Sequence, residues 1–294
     1  MATFVSYNNA NGNREDLLNI IVNITPTETP MLSGFGKGKA VATTHEWLQD
    51  SLASAAQGNV VEGSDASAGT MTARTRVSNH TQINRKVWQV SDTMEVIDKA
   101  GVSGSEYSYQ LSKALKEIAR DVEYSIVNGT GNAGDASTAR EVKGVDAFIA
   151  TNTSTAGSPR ALTEAIYNDL LQDVYEAGGN PDVSYCAGFQ KRKISGFTAR
   201  QTRNIEASNK RLIASIDVYE SDFGLQKVVL DRHHVAGNVS CLEKSKWKIA
   251  MLRPVKAVEL SKAGSSRKGM CEMEWTLEAL HEASSGSIRN LSTS

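Results

Sequence analysis

Between residues 37 and 91 the chain spends over fifty residues on a polar stretch that reads as a long β arm, too thin and too hydrophilic to bury a core of its own. The outgoing leg, Lys39-Ala40-Val41-Ala42-Thr43-Thr44-His45-Glu46-Trp47-Leu48, is rich in β formers, and both it and the return leg over residues 74–90 lack Gly and Pro. Together they predict two antiparallel strands. At about 3.3 Å per residue, a fourteen-residue leg from Lys37 to Asp50 reaches roughly 46 Å, more than the radius of a compact domain of this size. Such a hairpin projects from the body. An isolated ribbon is marginal in water and offers open edges, so it is expected to lie across a neighbouring copy. Residues 51–72 form the tip, where twelve of twenty-two residues are Ala, Ser or Gly, a composition that predicts mobility when the arm has no partner.

At 294 residues, 40% of them hydrophobic, the chain has room for one large or two modest domains with a real core. Its 32 Lys and Arg balance 33 Asp and Glu, so no field of one sign advertises a nucleic-acid or membrane partner. No run approaches the roughly 18 apolar residues of a membrane span, and Met1-Ala2-Thr3-Phe4 lacks the character of a signal peptide, so synthesis in a cytoplasm is expected. Cys186, Cys241 and Cys271 are odd in number, widely spaced and without a CxxC, a pattern that speaks against a disulfide framework or structural zinc and for reduced, partly buried thiols.

Ahead of the arm, Asn13 and Asp16 suit the start of a short helix whose Leu17, Ile20, Ile21 and Ile24 share a stripe, and Pro26 and Pro30 end it. Behind the arm comes the strongest helical signal, about residues 104–128. Ser103 and Glu106 match a capping box, Tyr107, Leu111, Leu115, Ile118, Val122 and Ile126 follow helical spacing, and Gly129 terminates it. Its other face, with Lys113, Lys116, Glu117, Arg120, Asp121 and Glu123, is expected at solvent or an interface.

Residues 142–254 read as a compact α/β unit. It contains a helix capped by Thr163 and stopped at Gly178-Gly179, a buried strand at Val183-Ser184-Tyr185-Cys186-Ala187, and a helix near 189–197. Strands are expected at 213–219 and 225–230, joined by Ser221-Asp222-Phe223-Gly224, and another at 247–252. Beyond Pro254 the chain returns to extended structure. There Met273, Trp275, Leu277 and Ala279 alternate with Glu272, Glu274, Thr276 and Glu278, as in a strand with one buried face.

The chemical motifs are sparse. Gly129-Thr130-Gly131-Asn132-Ala133-Gly134 fits GxGxxG, but it follows a helix instead of opening one after a strand, so a glycine-rich helix exit accounts for it. His233-His234 beside Asp231 lacks a third ligand at usable spacing, and exposed loop histidines are the better reading. There is no GxSxG or HExxH, and His45, His80 and His281 are scattered, so no catalytic, metal or cofactor site is expected. On the arm, Trp47, Arg74, Arg76, Arg85 and Trp88 could form a cation and aromatic strip for nucleic acid, but they serve equally as anchors of a protein interface, which suits a projecting hairpin. These five are the candidate inter-subunit contacts.

The order of parts resembles the major capsid proteins of tailed bacteriophages, the Hong Kong 97 or Johnson fold. Asn13-Arg14-Glu15-Asp16-Leu17, Thr25-Pro26-Thr27-Glu28-Thr29-Pro30, Thr44-His45-Glu46-Trp47, Arg120-Asp121-Val122-Glu123-Tyr124, Ser221-Asp222-Phe223-Gly224, Leu252-Arg253-Pro254 and Leu291-Ser292-Thr293-Ser294 are similar, in that order, to the subfamily typified by phage SU-ten. The resemblance implies an α+β fold with an N-terminal arm (1–36), an E-loop (37–91), a P-domain with the spine helix (92–141), an A-domain (142–254) and P-domain return strands (255–294). It also implies A-domains meeting around fivefold and sixfold axes, with E-loops lying over the P-domain of the next subunit. The chain begins directly at the arm, so any scaffold is expected to be a separate protein, absent or already removed.

The expected function is therefore a structural shell protein and not an enzyme, assembling without a cofactor in the host bacterial cytoplasm as pentamers and hexamers of a virion head around double-stranded DNA. Its partners would be itself, the packaged DNA through non-specific contact, and portal, decoration or scaffolding proteins, with no membrane. An encapsulin-like nanocompartment shares the fold and is the nearest alternative. A hydrolase or metalloenzyme on the central α/β unit is the remote one.

Overall fold

The computed structural model of the chain describes residues 27–66, 69, 71–99, 101, 102, 104–197 and 218–293. The helix expected within 13–24, the cap at Ser103 and the strand residues before Val218 lie outside these. Along the chain run α1 (Pro30–Gly34), β1 (Gly36–Lys39), β2 (Thr44–Gln49), β3 (Thr75–His80), β4 (Gln82–Ser91), α2 (Asp92–Val96), α3 (Glu106–Asn128), β5 (Thr130–Asn132), β6 (Glu141–Lys143) and α4 (Val145–Phe148). There follow β7 (Asn152–Arg160), α5 (Glu164–Glu176), β8 (Val183–Cys186), α6 (Gly188–Phe197), β9 (Val218–Ser221), β10 (Gly224–Leu230), β11 (Val239–Leu242), β12 (Trp247–Leu260), β13 (Ser266–Ala279) and β14 (Gly286–Leu291). By internal contacts the described residues divide into 27, 86–117 and 257–271 in one unit and 28–85, 118–256 and 272–293 in another.

The larger unit is built on a six-stranded sheet in the order β7-β14-β11-β8-β10-β9. Helix α5 starts where the Thr163 hydroxyl accepts the Ile166 N–H at 3.3 Å, and it buries Tyr167, Leu170, Leu171 and Val174. It ends at Gly178, whose φ of 83° a side chain would resist, and Gly179, where an added Cβ would lie 2.5 Å from Ser284. Strand β14 runs between β7 and β11, so the end of the chain completes this sheet. Two of the three thiols sit in its core: burial pushes the Cys186 thiol up to about 12 and the Cys241 thiol to about 11, which leaves both inert at neutral pH.

The smaller unit holds the distal parts of long elements. Trp88 of β4 is only 8% exposed and packs on Tyr107 with ring centroids 5.5 Å apart. Gly269 of β13 makes room for this contact, since a Cβ there would sit 2.3 Å from the indole. Arg267 covers Tyr107 from 4.4 Å and pairs with Glu259 at 3.0 Å. At the start of α3 the Ser105 hydroxyl accepts the Ser108 N–H at 3.3 Å.

Four expectations are corrected. The arm's legs are not two long strands, because β1 pairs in parallel with Lys248–Met251 of β12 and β4 joins β13. Only Thr44–Gln49 and Thr75–His80 remain as a ribbon, six residues or roughly 20 Å long. Strand β12 runs on past Pro254 to Leu260. On β13, Glu274 and Thr276 are buried as fully as their apolar neighbours because both faces are covered. Glu123, expected at solvent or an interface, is 0% exposed because α1 of its own chain lies on it. Its helical neighbours Ala119 and Val127 fall on the edge of the apolar stripe, so a modest widening of that face takes it in.

Candidate assembly surface

The β2–β3 ribbon pairs Trp47 with Val77 and Leu48 with Arg76. Its root is fastened by Asn79, which is 2% exposed. The Asn79 amide donates to the carbonyls of Leu277 at 2.8 Å and Lys143 at 3.1 Å, and its oxygen accepts the Lys143 N–H at 2.9 Å. Gln49 donates to the Leu280 carbonyl at 2.7 Å, and His45 lies 3.4 Å from the Glu278 carboxylate. Gln49 pairs with Thr75 at the tip-side end of the ribbon, so these contacts hold it along its length, and beyond it the described residues of the tip, 51–66, are all exposed, with Leu52 at 98% and Val60 at 85%.

The five residues singled out from sequence fall in different places. Trp47 is half-buried against Phe148, 6.1 Å away, and its buried indole N–H has no acceptor among the described residues. Arg74 reaches Asp50 at 3.2 Å and Arg76 reaches Glu46 at 3.5 Å. Both pairs are exposed, so they fix side-chain direction and add little stability. Arg85 donates to Glu272 at 2.7 Å. Trp88 is a correction, since its ring is spent in the core of the smaller unit and has no surface left to anchor a neighbour.

Arg85 belongs to an ion-pair ladder that sequence reasoning missed. Arg253 bridges Glu272 at 2.7 Å and Glu274 at 2.9 Å, and Glu274 also accepts from Arg140 at 2.7 Å and from the Thr81 hydroxyl at 2.8 Å. Burial works to raise the Glu274 carboxyl, yet the Thr81 hydroxyl and the two guanidiniums bring it below the usual carboxylate range. Glu272 is lowered first by its hydrogen bond from Arg85. With three cations on two buried or half-buried carboxylates, the ladder ties strands of the sheet β1-β12-β13-β4 to the loop ahead of β6 and leaves Arg85 and Arg253 about half exposed.

The remaining motifs are structural. Gly131 and Gly134 adopt φ of 81° and 68° where the helix exit turns into the β5–β6 hairpin, and a Cβ on Gly129 would lie 2.3 Å from the Val142 carbonyl. His234 is buried, contrary to the expectation of an exposed loop, and bonds the Ser240 hydroxyl at 3.0 Å. His233 is half-exposed, its N–H held by Asp231 at 2.8 Å. Among the described residues no three His, Cys, Asp or Glu gather as a metal site, and no helix is long and apolar enough to cross a membrane.

The chain superposes on the cyanophage A-1(L) capsid asymmetric unit with a TM-score of 0.79 at 14% identity, covering 99% of this chain and 100% of the other. It also superposes on the SrpI encapsulin of Synechococcus elongatus with a TM-score of 0.63 at 10% identity, covering 100% and 98%. The fold is thus that of the Hong Kong 97-like shell proteins. The family model for the SU10 major capsid protein matches residues 3–292, and the chain belongs to that family of phage major capsid proteins. It is similar as well to the major capsid protein of Escherichia phage Phieco32, 28% identical over an alignment 337 positions long that covers 96% of this chain and 95% of that one.

Proposed function

We propose that copies of this chain associate as pentamers and hexamers and close into an icosahedral head around double-stranded DNA. In this reading residues 1–36 are the N-terminal arm, 37–91 the E-loop, 92–141 with 255–294 the P-domain and 142–254 the A-domain. The observation that carries it is the ribbon: among the described residues β2 and β3 pair only with each other, and the tip beyond them exposes Leu52, Val60, Val61 and Met71 by 78% or more. Exposed apolar side chains beside open strand edges are what an interface covers. Heterologous contacts of this kind, repeated by rotation, close into rings, and many modest contacts add up in a shell. The mechanism is association, with no chemical step. Packaged DNA would be met by non-specific contact, portal, decoration or scaffolding proteins would be further partners, and assembly would take place in the cytoplasm of a bacterial host.

The encapsulin likeness concerns the fold alone, whereas the family match favours a genome container. The test is light scattering and negative-stain imaging of the purified chain over a range of salt and concentration. Rings or shells are expected, and a persistent, well-folded 31.7 kDa monomer would refute the reading.

A further inference from the structure

Helix α1 has only five residues, and a side chain from α3 supplies its cap. Thr29 offers no side-chain cap, so the N–H groups of Met31 and Leu32 go to the two carboxylate oxygens of Glu123, each at 2.7 Å. Among the described residues these are the only hydrogen bonds of the Glu123 side chain, and α1 is the cover that leaves it 0% exposed.

A second buried acid acts on it. Asp231, in the loop after β10, is 1% exposed; its Oδ1 accepts the His233 N–H at 2.8 Å, while its Oδ2 is buried with no partner among the described residues. The groups around the two acids do not neutralise them. Arg232 turns out to Glu28 at 3.2 Å, and the His233 ring lies edge-on to Tyr124. Tyr185 of β8 is held as a neutral phenol, pushed up first by burial and then by Glu123, Asp182 and Asp231. Lys37 of β1 donates to the Leu32 carbonyl at 2.7 Å, and burial lowers its own ammonium although Glu123 pulls it back up.

Two carboxylates closed off from water are strongly disfavoured as a doubly charged pair. Burial, and with it the Asp231 charge, raise the Glu123 carboxyl to about 7 against the pull of the two N–H donors. Lifting α1 alone would relieve this, since water then reaches Glu123 while the pairing of β1 with β12, which begins at Gly36, stays in place.

We propose that α1 is a proton-operated latch: it lies on α3 while the pair of Glu123 and Asp231 holds a proton, and it lifts when both carboxylates are ionised, freeing the chain ahead of β1. Docking takes up a proton, so the latch is tightest below about pH 4.5 and loosens, by as much as about two orders of magnitude, as pH rises through 7. Opening uncovers Met31 and Phe35, which are 0% and 3% exposed when it is shut. The device is built into a single subunit and does not rest on the shell reading.

Hydrogen exchange of the full chain, kept in one assembly state and read by mass spectrometry from pH 5 to 8, tests the latch once the intrinsic exchange rate is divided out. Protection of the Met31 and Leu32 amides is expected to fall by at least about tenfold over this range while that of α5 keeps its level. Glu123→Gln should flatten the profile whatever its absolute level, and Asp231→Asn, by removing the like charge, should shrink the fall. Constant protection of α1 in the parent would overturn the proposal. So would a fall shared by α5, which is a loosening of the whole unit, or one that persists in Glu123→Gln, which belongs to another group.

Discussion

The carboxylate of Glu123 on α3 accepts the backbone N–H of Met31 through one oxygen and that of Leu32 through the other, each at 2.7 Å. These are first-turn donors of α1, which opens with Pro30, so one side chain caps the segment that leads out of the N-terminal residues. Met31 and Phe35 are both buried, and Phe35 stacks 6.1 Å from Trp247.

Burial raises the Glu123 carboxyl to about 7; the two N–H donors pull it down and Asp231 pushes it further up. A folded value above the unfolded 4.5 means that folding favours the protonated form. The contribution is therefore complete below about pH 4.5 and lost as pH rises through 7, amounting to no more than about 3 kcal/mol. Urea unfolding at intervals from pH 5 to 8 should show this decline, and Glu123→Gln should flatten it. Equal slopes for the two proteins would show that Glu123 does not titrate in this window.

Trp88→Ala should destabilise the isolated subunit by about 3–5 kcal/mol, because it empties the space between β4, β13 and Tyr107. Gly269→Ala should cost about 1–3 kcal/mol by forcing a Cβ into the same indole. Trp47→Ala, at a half-buried site, should cost less than Trp88→Ala. Denaturant melts of unassembled subunits rank the three, and a Trp88 variant as stable as the parent would return that residue to the interface.

The contrast between the two tryptophans shows what the sequence carries. Helical spacing located α3 and the Thr163 cap located α5, since both signals lie within a few neighbouring residues. On β4 the even positions Asn84, Trp88 and Val90 are covered while Ile83 and Val87 face out, so apolar residues on both faces hid which side was core. Glu123 and Glu274 were illegible for a different reason. Their partners lie 92 residues away at Met31 and 134 away at Arg140, and no local pattern marks a carboxylate as buried when its donors come from so far. The arm itself was legible as lacking a core, but the part that pairs with β12 and β13 could be assigned only once those strands had a position.

Glu274 has the opposite pH sign from Glu123. Its folded carboxyl lies below its ordinary value, so its stabilisation is present above the unfolded pKa and lost as pH falls through the folded one. Glu274→Gln should cost about 3 kcal/mol at neutral pH by leaving Arg140 and Arg253 without their shared counter-charge. It should also reduce the loss of stability on acidification below pH 4. Thermal melts at pH 3 and pH 7 check both, and a variant that loses as much stability in acid as the parent would remove Glu274 from the acid-sensitive groups.

Residues 51–66 are wholly exposed and rich in small side chains, which makes them a ready substrate for a broad-specificity protease in unassembled subunits. Once shells form, the flanking β2 and β3 edges and the apolar tip would be covered by a neighbour, and cleavage should slow by at least about tenfold. The comparison should use one preparation before and after assembly, with cut sites mapped by mass spectrometry. Sites elsewhere on the surface serve as the internal reference, because a general loss of protease access in the particle would slow them as well. Cutting inside 51–66 at the same rate in both states would mean that the arm is not what holds neighbouring subunits together.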